Sequence, residues 1–263
     1  MDLKLTNKIA LVTGSTAGIG NAIAASLARE GATVIVSGRT TAAVDAAVAA
    51  MKADARGEVH GFAGDLSEAS VAEALAHRHP VVDILVNNLG IFEVKPFEEI
   101  ADADWRRFFE VNVLSGARLS RLYLPSMRRR NWGRIIFISS ESGYHIPAEM
   151  IHYGMTKSAQ IAVARGLAET TAGTGITVNT VLPGPTRSRG VADFVAAMAA
   201  KSDMSAQAVE SEFFKKARPT SLLQRFATPE EVASMVTYLA SPLSSATNGA
   251  ALRVDGGTIK TAF

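Results

Sequence analysis

The sequence has 263 residues and no cysteine, which excludes disulfide bonds, thiolate nucleophiles and cysteine-ligated metals. Its five histidines show no spacing that would clasp a metal ion, so no metal site is expected. An apolar run of membrane-spanning length is also missing, and the opening segment MDLKLTNKIALVTG lacks the apolar stretch and cleavage site of a signal peptide. We therefore expect a cytoplasmic protein without a membrane partner.

A charge excess of either sign is absent as well. Lys and Arg together number 27 and Asp and Glu 25, which gives a net charge of +2. The only basic cluster is Arg128–Arg130, and such a run is more often the solvated end of a helix than a nucleic-acid patch, because cations are favoured near helix C-termini. No nucleic-acid partner is expected.

Short apolar segments rich in Val and Ile alternate with longer segments of helical periodicity along the chain. This alternation is typical of a parallel sheet that helices cover on both faces. We therefore predict an α/β fold with a doubly wound, seven-stranded parallel sheet of the Rossmann type, in a single domain over residues 1–263. The predicted strands are residues 8–14, 33–38, 58–65, 83–88, 134–140, 176–184 and 251–257.

Two predicted helices have recognisable ends. The segment GIGNAIAASLAREG stops at Gly31. The segment TPEEVASMVTYLAS opens with Thr228 as the cap, has Pro229 in its first turn, and contains Glu231 in the position that completes a capping box. Local sequence alone thus predicts where these helices begin or end.

A glycine-rich loop, TGSTAGIG, follows the first predicted strand and opens a helix. Its amides and the positive end of the helix dipole can face a phosphate. Gly14 permits the tight turn, Gly18 lets a pyrophosphate approach the backbone, and Gly20 allows close packing of the helix on the strand. Many such loops are only turns, but the position after the first of seven strands favours a dinucleotide site. The predicted contacts in this loop are Gly14, Ser15, Thr16, Gly18, Ile19 and Gly20.

The end of the second predicted strand, VSGRT, bears on the cofactor. Dinucleotide folds that prefer NAD(H) commonly place a carboxylate here, whereas this sequence has Gly38 followed by Arg39. A carboxylate would repel a 2′-phosphate, and an arginine can pair with it. We expect NADP(H), with Arg39 and Thr40 at the phosphate, and NAD(H) as the other possibility. The alternative is that Arg39 stacks on the adenine or lies in solvent.

The segment HYGMTK places Tyr153 and Lys157 four residues apart in a stretch of helical character, so both lie on one helix face. Free tyrosine has a pKa of about 10, too high for ready proton exchange at neutral pH. A neighbouring ammonium favours the phenolate and lowers that pKa, which makes the pair a candidate for general acid–base catalysis. Taken alone, the spacing is common on helix surfaces.

Two further polar residues are candidates for the same site. Ser140 ends the apolar segment RIIFISS, at the carboxyl edge of the predicted sheet, where its hydroxyl can hydrogen-bond a substrate oxygen. The alternative is a serine that caps a loop. Asn112 lies within the helical segment 102–130, where the alternative is a satisfied polar group in a helix interface.

These motifs together resemble the short-chain dehydrogenase/reductase family in its single-domain form. The resemblance extends over nearly the whole chain and includes TGSTAGIG, GDLS with Asp65, NNLG at 87–90, VNVLS around Asn112, ISSESG around Ser140, YGMTK, and NTVLPGPT at 179–186. It implies an NAD(P)(H)-dependent oxidoreductase that transfers a hydride between the nicotinamide and a ketone or secondary alcohol.

The resemblance also implies a function for each motif residue. Tyr153 is then the proton donor to a carbonyl or the acceptor from an alcohol, and Ser140 orients the substrate oxygen. Lys157 lowers the tyrosine pKa and binds the nicotinamide ribose, while Asn112 holds a water that links Lys157 to solvent. The other implied cofactor contacts are Asp65, Leu66, Asn88, Gly90, Pro183, Gly184 and Thr186.

The sequence departs from the family pattern in three places. Leu89 stands where the family usually has alanine, the segment between Asp65 and Asn87 is short, and the region after PGPTRS is longer than in compact members. These differences bear on the substrate more than on the reaction.

A polar, helix-prone insertion at about 185–225 is predicted to form a substrate lid. Its mixed apolar character suggests a small to medium ketone or secondary alcohol as substrate. Glu141 and His145 can instead hydrogen-bond within their own loop. The predicted substrate contacts are Glu141, Ser142, His145, Ile146 and Met150, together with Arg187, Val191, Phe194 and Met198 of the lid.

Two alternative functions stay open. A 3-oxoacyl-carrier-protein reductase would need a basic docking patch, for which Arg128–Arg130 is the candidate. A non-catalytic dinucleotide-sensing protein would have no need of the combination of Ser140, Tyr153 and Lys157. The resemblance further implies a homodimer or homotetramer assembled through helices corresponding to 102–130 and 150–172.

Overall fold

The computed structural model describes residues 1–188, 191, 196, 198–199 and 204–262. These residues form one seven-stranded parallel sheet with the order β3-β2-β1-β4-β5-β6-β7, which confirms the predicted doubly wound sheet. Each predicted segment contains one strand, shortened at one or both ends or unchanged, apart from β5, which begins one residue earlier. The strands are β1 (Ile9–Val12), β2 (Thr33–Gly38), β3 (Val59–Ala63), β4 (Ile84–Asn87), β5 (Gly133–Ile138), β6 (Ile176–Pro183) and β7 (Ala251–Val254).

The eight α-helices of the described residues cover both faces of the sheet. They are α1 (Gly18–Arg29), α2 (Thr41–Lys52), α3 (Ala69–Arg78), α4 (Asp102–Phe109), α5 (Ser115–Arg130), α6 (Ile151–Glu169), α7 (Ala206–Lys216) and α8 (Pro229–Ala240). Successive strand residues enter different apolar layers, as the alternation of side chains in a strand requires. Leu11 and Leu85 pack with α3, α5 and α6, whereas Val12 and Val86 pack with α1, α2 and α8.

The strand order changes direction between β1 and β4. Val12 of β1 pairs with Val36 of β2 on one side and Val86 of β4 on the other. Chain crossovers leave this position in opposite directions, which opens a crevice at the carboxyl ends of the two strands. The glycine-rich loop lies at this point, and a dinucleotide can therefore reach it.

The predicted helix ends agree with the structure. Thr228 Oγ1 accepts a hydrogen bond from Glu231 N at 3.2 Å, and the Glu231 carboxylate accepts one from Thr228 N at 2.8 Å. Helix α1 ends at Arg29, and Gly31 follows with a φ of +91°, a backbone conformation that favours glycine. The segment 102–130 is α4 and α5 joined by a π-helical turn over Glu110–Leu114.

The insertion at about 185–225 contributes α7 and a small apolar cluster of Val209, Phe214 and Phe226. A single parallel bridge between Thr186 and Ala227 ties its ends together. Phe194, predicted to contact the substrate, lies outside the described residues. The function of this insertion as a lid stays a prediction.

No helix in the described part of the chain has both the length and the apolar character needed to cross a membrane. The same residues hold no cluster of three or more His, Asp or Glu side chains suited to a metal ion.

Candidate active site

The glycine-rich loop is closely packed from both sides. Gly14 and Gly18 have φ values of +60° and +58°, which glycine adopts without strain. A Cβ on Gly20 would lie 2.4 Å from Asn88 Nδ2 and 2.5 Å from Gly14 O, so this position admits no side chain. The Asn88 amide donates to Thr13 O at 2.9 Å and to Gly14 O at 3.2 Å. Asn88 thus holds the loop in shape, besides lining the cavity beside it.

One cavity at the carboxyl edge suits the adenosine part of a dinucleotide. It extends from the glycine-rich loop to Arg39, at the end of β2, and to Arg107 of α4. The Asp65 carboxylate accepts hydrogen bonds from Ser67 N at 3.0 Å and Ser67 Oγ at 2.7 Å, and this contact, ahead of the nearby Arg39, lowers the Asp65 pKa. The predicted residues that line the cavity are Gly14, Thr16, Arg39, Asp65, Leu66 and Gly90.

Two predicted cofactor contacts take other positions. Ser15 is fully buried, where its hydroxyl donates to Val12 O at 2.7 Å and accepts from Ser37 N at 2.9 Å, so it braces the loop from behind. Thr40 is exposed and caps α2 by accepting from Ala43 N at 3.4 Å. Neither side chain lines the cavity: Ser15 bonds to the backbone of β1 and β2, and Thr40 bonds to the first turn of α2.

A second cavity continues from the first across the switch point and suits the nicotinamide part. It combines backbone-lined walls with the side chains of Ser140 and Tyr153. Thr186 Oγ1 donates to Gly184 O at 2.9 Å, which fixes the turn after β6. The two cavities and the glycine-rich loop between them fit a dinucleotide cofactor. The predicted residues in this part are Gly18, Ile19, Gly20, Asn88, Gly90, Pro183, Gly184 and Thr186.

Asn112 lies in the π-helical turn and is completely buried. Its side chain accepts from Ile91 N at 2.8 Å and donates to Ile91 O at 3.0 Å and Thr156 Oγ1 at 2.9 Å. A π turn disturbs the regular helical hydrogen bonding, and the Asn112 carbonyl accepts from Gln160 Nε2 at 2.7 Å. The side chain therefore clamps the loop after β4, as in the satisfied-polar-group alternative. The predicted water-holding function stays untested.

Lys157 is almost fully buried beside Tyr153. Its ammonium donates to Ile138 O at 2.9 Å and Gln160 Oε1 at 3.0 Å, and Nζ lies 5.5 Å from the centroid of the Tyr153 ring. Burial lowers the Lys157 pKa to about 7. Gln160 was missed by the sequence interpretation, although it stands three residues after Lys157 on the same helix face.

The protonation of Tyr153 depends on its surroundings, and the expected effect of Lys157 on it stays a prediction. Burial, the largest cause, raises the Tyr153 pKa, and the Glu141 carboxylate raises it further, while a hydrogen bond with Ser140 and the charge of Arg218 lower it. The Nζ atom of Lys157 donates to Ile138 O and Gln160 Oε1. At neutral pH the phenol is therefore protonated in this structure.

Ser140 lies two residues beyond the end of β5. Its side chain makes contacts within its own loop. Its hydroxyl donates to Glu141 Oε2 at 2.6 Å and accepts from Ser142 N at 3.1 Å. Glu141, predicted as a substrate contact, is itself buried and accepts from Arg218 Nε at 2.8 Å. Arg218 was not anticipated, since it lies 77 residues away in the chain.

A third cavity, of about 270 Å³, opens on the other side of Ser140 and Tyr153. Glu141, Ser142, Met150 and Val191 line it as predicted, whereas His145 is exposed and takes no part in its wall. His145 N bonds to Glu141 O at 2.9 Å, which turns the loop outward. The other lining residues are Phe92, Val94, Glu149, Gly184, Pro185, Phe213, Arg218 and Phe226.

Residues 8–199 match a family model described as short chain dehydrogenase. The chain is a short-chain dehydrogenase. The match extends from β1 through α6 and β6, and thus includes the glycine-rich loop and the residues around Ser140 and Tyr153. The family membership and the fold implied by the sequence resemblance are confirmed.

Relatives of this short-chain dehydrogenase include an uncharacterized oxidoreductase, YvaG, of Bacillus subtilis, which is 48% identical over 264 residues with complete coverage of both chains. The 3-oxoacyl-[acyl-carrier-protein] reductase of Aquifex aeolicus is 37% identical, with 98% of this chain and 99% of the relative covered. Among solved structures, L-sorbose reductase from Gluconobacter frateurii, complexed with NADPH and L-sorbose, superposes with a TM-score of 0.94 at 29% identity, covering 99% of this chain and 100% of the other. The chain is therefore an oxidoreductase that uses a nicotinamide dinucleotide.

Proposed function

We propose that this enzyme reduces a small to medium neutral ketone, and oxidises the corresponding secondary alcohol, with NADP(H) as the preferred cofactor. One observation carries the proposal. Ser140 and Tyr153 line both the cavity that suits the nicotinamide and the separate 270 Å³ cavity beyond it. A substrate in the latter would have its reacting oxygen next to both hydroxyl groups.

The cofactor supplies the hydride, and the protein supplies alignment and the proton. The raised pKa of Tyr153 keeps its phenol protonated at neutral pH, which suits a proton donor to a carbonyl oxygen. Ser140, at the carboxyl edge of the sheet, lies within the same wall, next to that oxygen. The Lys157 Nζ donates hydrogen bonds to Ile138 O and to Gln160 Oε1, which holds the Lys157 side chain in place beside Tyr153.

Two guanidinium groups support the preference for NADP(H). Arg39 and Arg107 come from different elements and both line the adenosine-side cavity. Paired arginines favour an anionic group such as the 2′-phosphate. The relative with L-sorbose was complexed with NADPH, which is consistent with this preference. NAD(H) stays the alternative, because the Asp65 carboxylate lines the same cavity.

The apolar walls of the third cavity support a substrate with a substantial hydrocarbon surface. Phe92, Met150 and Phe213 are among the apolar residues of these walls. The polar groups opposite them are Glu141, Glu149 and Arg218, whose formal charges sum to an excess of negative charge. A carboxylate-bearing substrate would be disfavoured there, so a neutral ketone fits best.

The 3-oxoacyl-carrier-protein reductase alternative receives less support. Its proposed docking residues, Arg128–Arg130, end α5 just before β5 begins, at the amino-terminal edge of the sheet. Ser140 lies beyond the other end of β5, about 20 Å away for a strand of this length. Two of the arginines also have partners, since Arg128 bonds to Thr170 and Arg130 to Asp83. The sensor alternative leaves unexplained why Ser140 and Tyr153 line both cavities.

We further propose that the enzyme works in the cytoplasm and assembles as a dimer or tetramer through α5 and α6. A shallow groove of about 550 Å³ lies between the outer faces of these helices, with Leu124, Pro125, Val163 and Leu167 in its walls. Covering such apolar side chains favours association. Sedimentation is expected to give a multiple of 27.7 kDa, and a monomer at that mass would contradict the assembly.

The test measures oxidation of NADPH and of NADH with a panel of neutral ketones, keto acids and a β-ketoacyl thioester. Reduction of a neutral ketone with NADPH is expected, together with loss of at least about a hundredfold in kcat for Tyr153→Phe, because general acid catalysis is removed. Tyr144→Phe, a change at an exposed tyrosine, is the matched control and is expected to behave as the parent. Turnover of Tyr153→Phe at the parent's rate would contradict the mechanism, and turnover of the thioester alone would favour the carrier-protein alternative.

A further inference from the structure

A buried ion pair lies directly behind the serine of the site. The side chains of Glu141 and Arg218 are 4% and 9% exposed, and Glu141 Oε1 lies 2.8 Å from Arg218 Nε. Arg218 belongs to the turn after α7, in the insertion between β6 and α8. Its Nη1 donates to Ala217 O at 2.8 Å and lies 3.9 Å from the half-exposed Glu149 carboxylate. Breaking such a pair leaves an uncompensated buried charge, so it is expected to persist through the catalytic cycle.

The second oxygen of the Glu141 carboxylate determines where the serine proton lies. Glu141 Oε2 accepts from Ser140 Oγ and from Ser142 Oγ, each at 2.6 Å. A hydroxyl group carries one proton, so a Ser140 hydroxyl that donates to Glu141 presents only lone pairs to its other neighbours. Tyr153 lines the same cavity as Ser140, so the phenol is the hydroxyl left to donate a proton to a substrate oxygen there.

Charged groups face the Tyr153 phenol from several elements. Glu141, which raises the Tyr153 pKa, and Arg218, which lowers it, lie on the substrate side. Lys157, on the tyrosine's own helix, has its Nζ bonded to Ile138 O and Gln160. Glu149 lies farther out at the cavity rim. Among the described residues, Glu141 and Arg218 thus form an ion pair in which one partner raises the Tyr153 pKa and the other lowers it.

We propose that Glu141 and Arg218 are positioning residues for Ser140 and Tyr153: the carboxylate, fixed in place by the guanidinium, holds the serine proton and favours the protonated phenol, which favours ketone reduction at neutral pH. This inference rests on the proposed function, because it takes Tyr153 as the proton donor. During reduction the Tyr153 O–H bond breaks as the substrate oxygen gains the proton. Glu141 and Arg218 exchange no proton in that step.

The test follows the pH dependence of kcat/KM for alcohol oxidation, which requires ionised Tyr153. Glu141→Gln keeps the shape of the side chain and removes its charge, so the limb on which activity rises with pH moves to lower pH by on the order of one unit. Arg218→Gln leaves the carboxylate uncompensated, and the limb moves to higher pH. A carboxylate without a partner is still ionised in the alkaline range where tyrosine titrates, so the two shifts have opposite signs.

Two control variants separate this effect from a general loss of structure. Arg218→Lys retains the cation and is expected to restore the limb to near the parent's position. Glu212→Gln removes a carboxylate from an exposed ion pair with Lys216 on α7 and is expected to leave the limb unmoved. If Arg218→Gln does not fold, the remaining three variants still decide the sign of the effect.

A second readout needs neither cofactor nor turnover. The chain has four tyrosines, and phenolate formation is followed by ultraviolet absorption. Glu141→Gln is expected to ionise one tyrosine at a pH at which the parent keeps it protonated, and the double variant Glu141→Gln/Tyr153→Phe is expected to lack that signal.

Shifts of the same sign in Glu141→Gln and Arg218→Gln, or an unmoved limb in Glu141→Gln, would overturn the inference while leaving the proposed function intact. Absence of turnover by the parent with every carbonyl compound would instead count against the proposed function. The absorption experiment would then still decide whether the ion pair controls Tyr153.

Discussion

The two halves of the candidate site, which meet at Ser140 and Tyr153, are constructed differently. The dinucleotide half is formed mainly by backbone turns and by short motifs such as the glycine-rich loop, which Asn88 holds in place. The substrate half is formed by side chains from distant segments, as the 77-residue separation of Glu141 and Arg218 illustrates. Local backbone geometry therefore fixes the first half, and long-range packing fixes the second.

The largest expected effect tests the dependence of the dinucleotide half on backbone spacing. Gly20→Ala would place a Cβ 2.5 Å from Gly14 O and 2.4 Å from Asn88 Nδ2. We expect loss of NADPH binding and a decrease of about 1–3 kcal/mol in the free energy of unfolding, because backbone atoms must move to relieve the overlap. Fluorescence titration with NADPH and chemical denaturation measure the two quantities.

The matched control for this change is Asn21→Ala, at the next position of α1. The Asn21 side chain donates a hydrogen bond to Ser15 O at 3.3 Å. Its truncation to alanine adds no atoms to the loop, unlike Gly20→Ala. NADPH binding is expected to be kept. If Gly20→Ala bound NADPH as tightly as Asn21→Ala, backbone spacing at Gly20 would not determine cofactor binding, and the proposed difference between the two halves would be wrong.

The next largest effect is expected at Arg39, a side chain in the dinucleotide half that is proposed to determine the preference for NADPH over NADH. Arg39→Asp is expected to lower the ratio of kcat/KM with NADPH to that with NADH by roughly tenfold to a hundredfold, the equivalent of one charged hydrogen bond of about 1.5–3 kcal/mol. Arg107→Gln is expected to act in the same direction and more weakly, since its cation is lost without introducing repulsion. Initial rates with both cofactors measure the ratio.

Arg106→Gln is the control for these two variants. Arg106 neighbours Arg107 on α4 but pairs with Asp102 at 3.4 Å and does not line the cavity. Its cofactor ratio is expected to equal that of the parent. An unchanged ratio in Arg39→Asp would show that cofactor preference is decided elsewhere.

A smaller effect is expected beneath the substrate half. His152 is fully buried, its ring nitrogens have no hydrogen-bond partner, and it packs on Phe108 at 4.0 Å between ring centroids. Burial lowers the pKa of His152 below its ordinary 6.5. As the pH falls below 6.5, His152 becomes protonated in the unfolded chain but stays neutral in the folded protein. The free energy of unfolding therefore decreases until the pH reaches the lowered pKa of His152.

Replacing His152 by Phe removes both the unpartnered nitrogens and this proton uptake. His152→Phe is expected to be more stable than the parent by about 1 kcal/mol, with the difference growing on acidification from neutral pH. Thermal unfolding of both proteins across the acid range measures it. His77→Gln, on an exposed position of α3, is the control, and identical acid sensitivity of parent and His152→Phe would refute the assignment.

The sequence anticipated more of the dinucleotide half than of the substrate half. The glycine-rich loop, Asp65 and Arg39 lie where their motifs indicated, because each motif and the turn that it forms are adjacent in the chain. Ser15 and Thr40 were assigned to the cofactor and instead satisfy backbone amides. Residue type alone does not distinguish a serine that faces a ligand from one that braces the turn behind it.

In the substrate half, periodicity placed Tyr153 and Lys157 on one helix face but did not indicate their electrostatic relation. The bonding of Lys157 to Ile138 and Gln160 follows from packing, and its effect on the tyrosine pKa stays a prediction. The outward turn of His145 and the partners of Asn112 likewise depend on the loops that pack around them.

The sequence by itself determined the seven strands, the glycine-rich loop between β1 and α1, and the order of the motifs, because these depend on local propensity and on side-chain periodicity. Only the tertiary structure brought Arg218 to Glu141, Arg107 to the cavity of Arg39, and Gln160 to the carbonyl of Asn112. Those contacts join residues whose proximity follows from how the helices and loops pack. Burial then raises the pKa of Tyr153 and lowers that of Lys157.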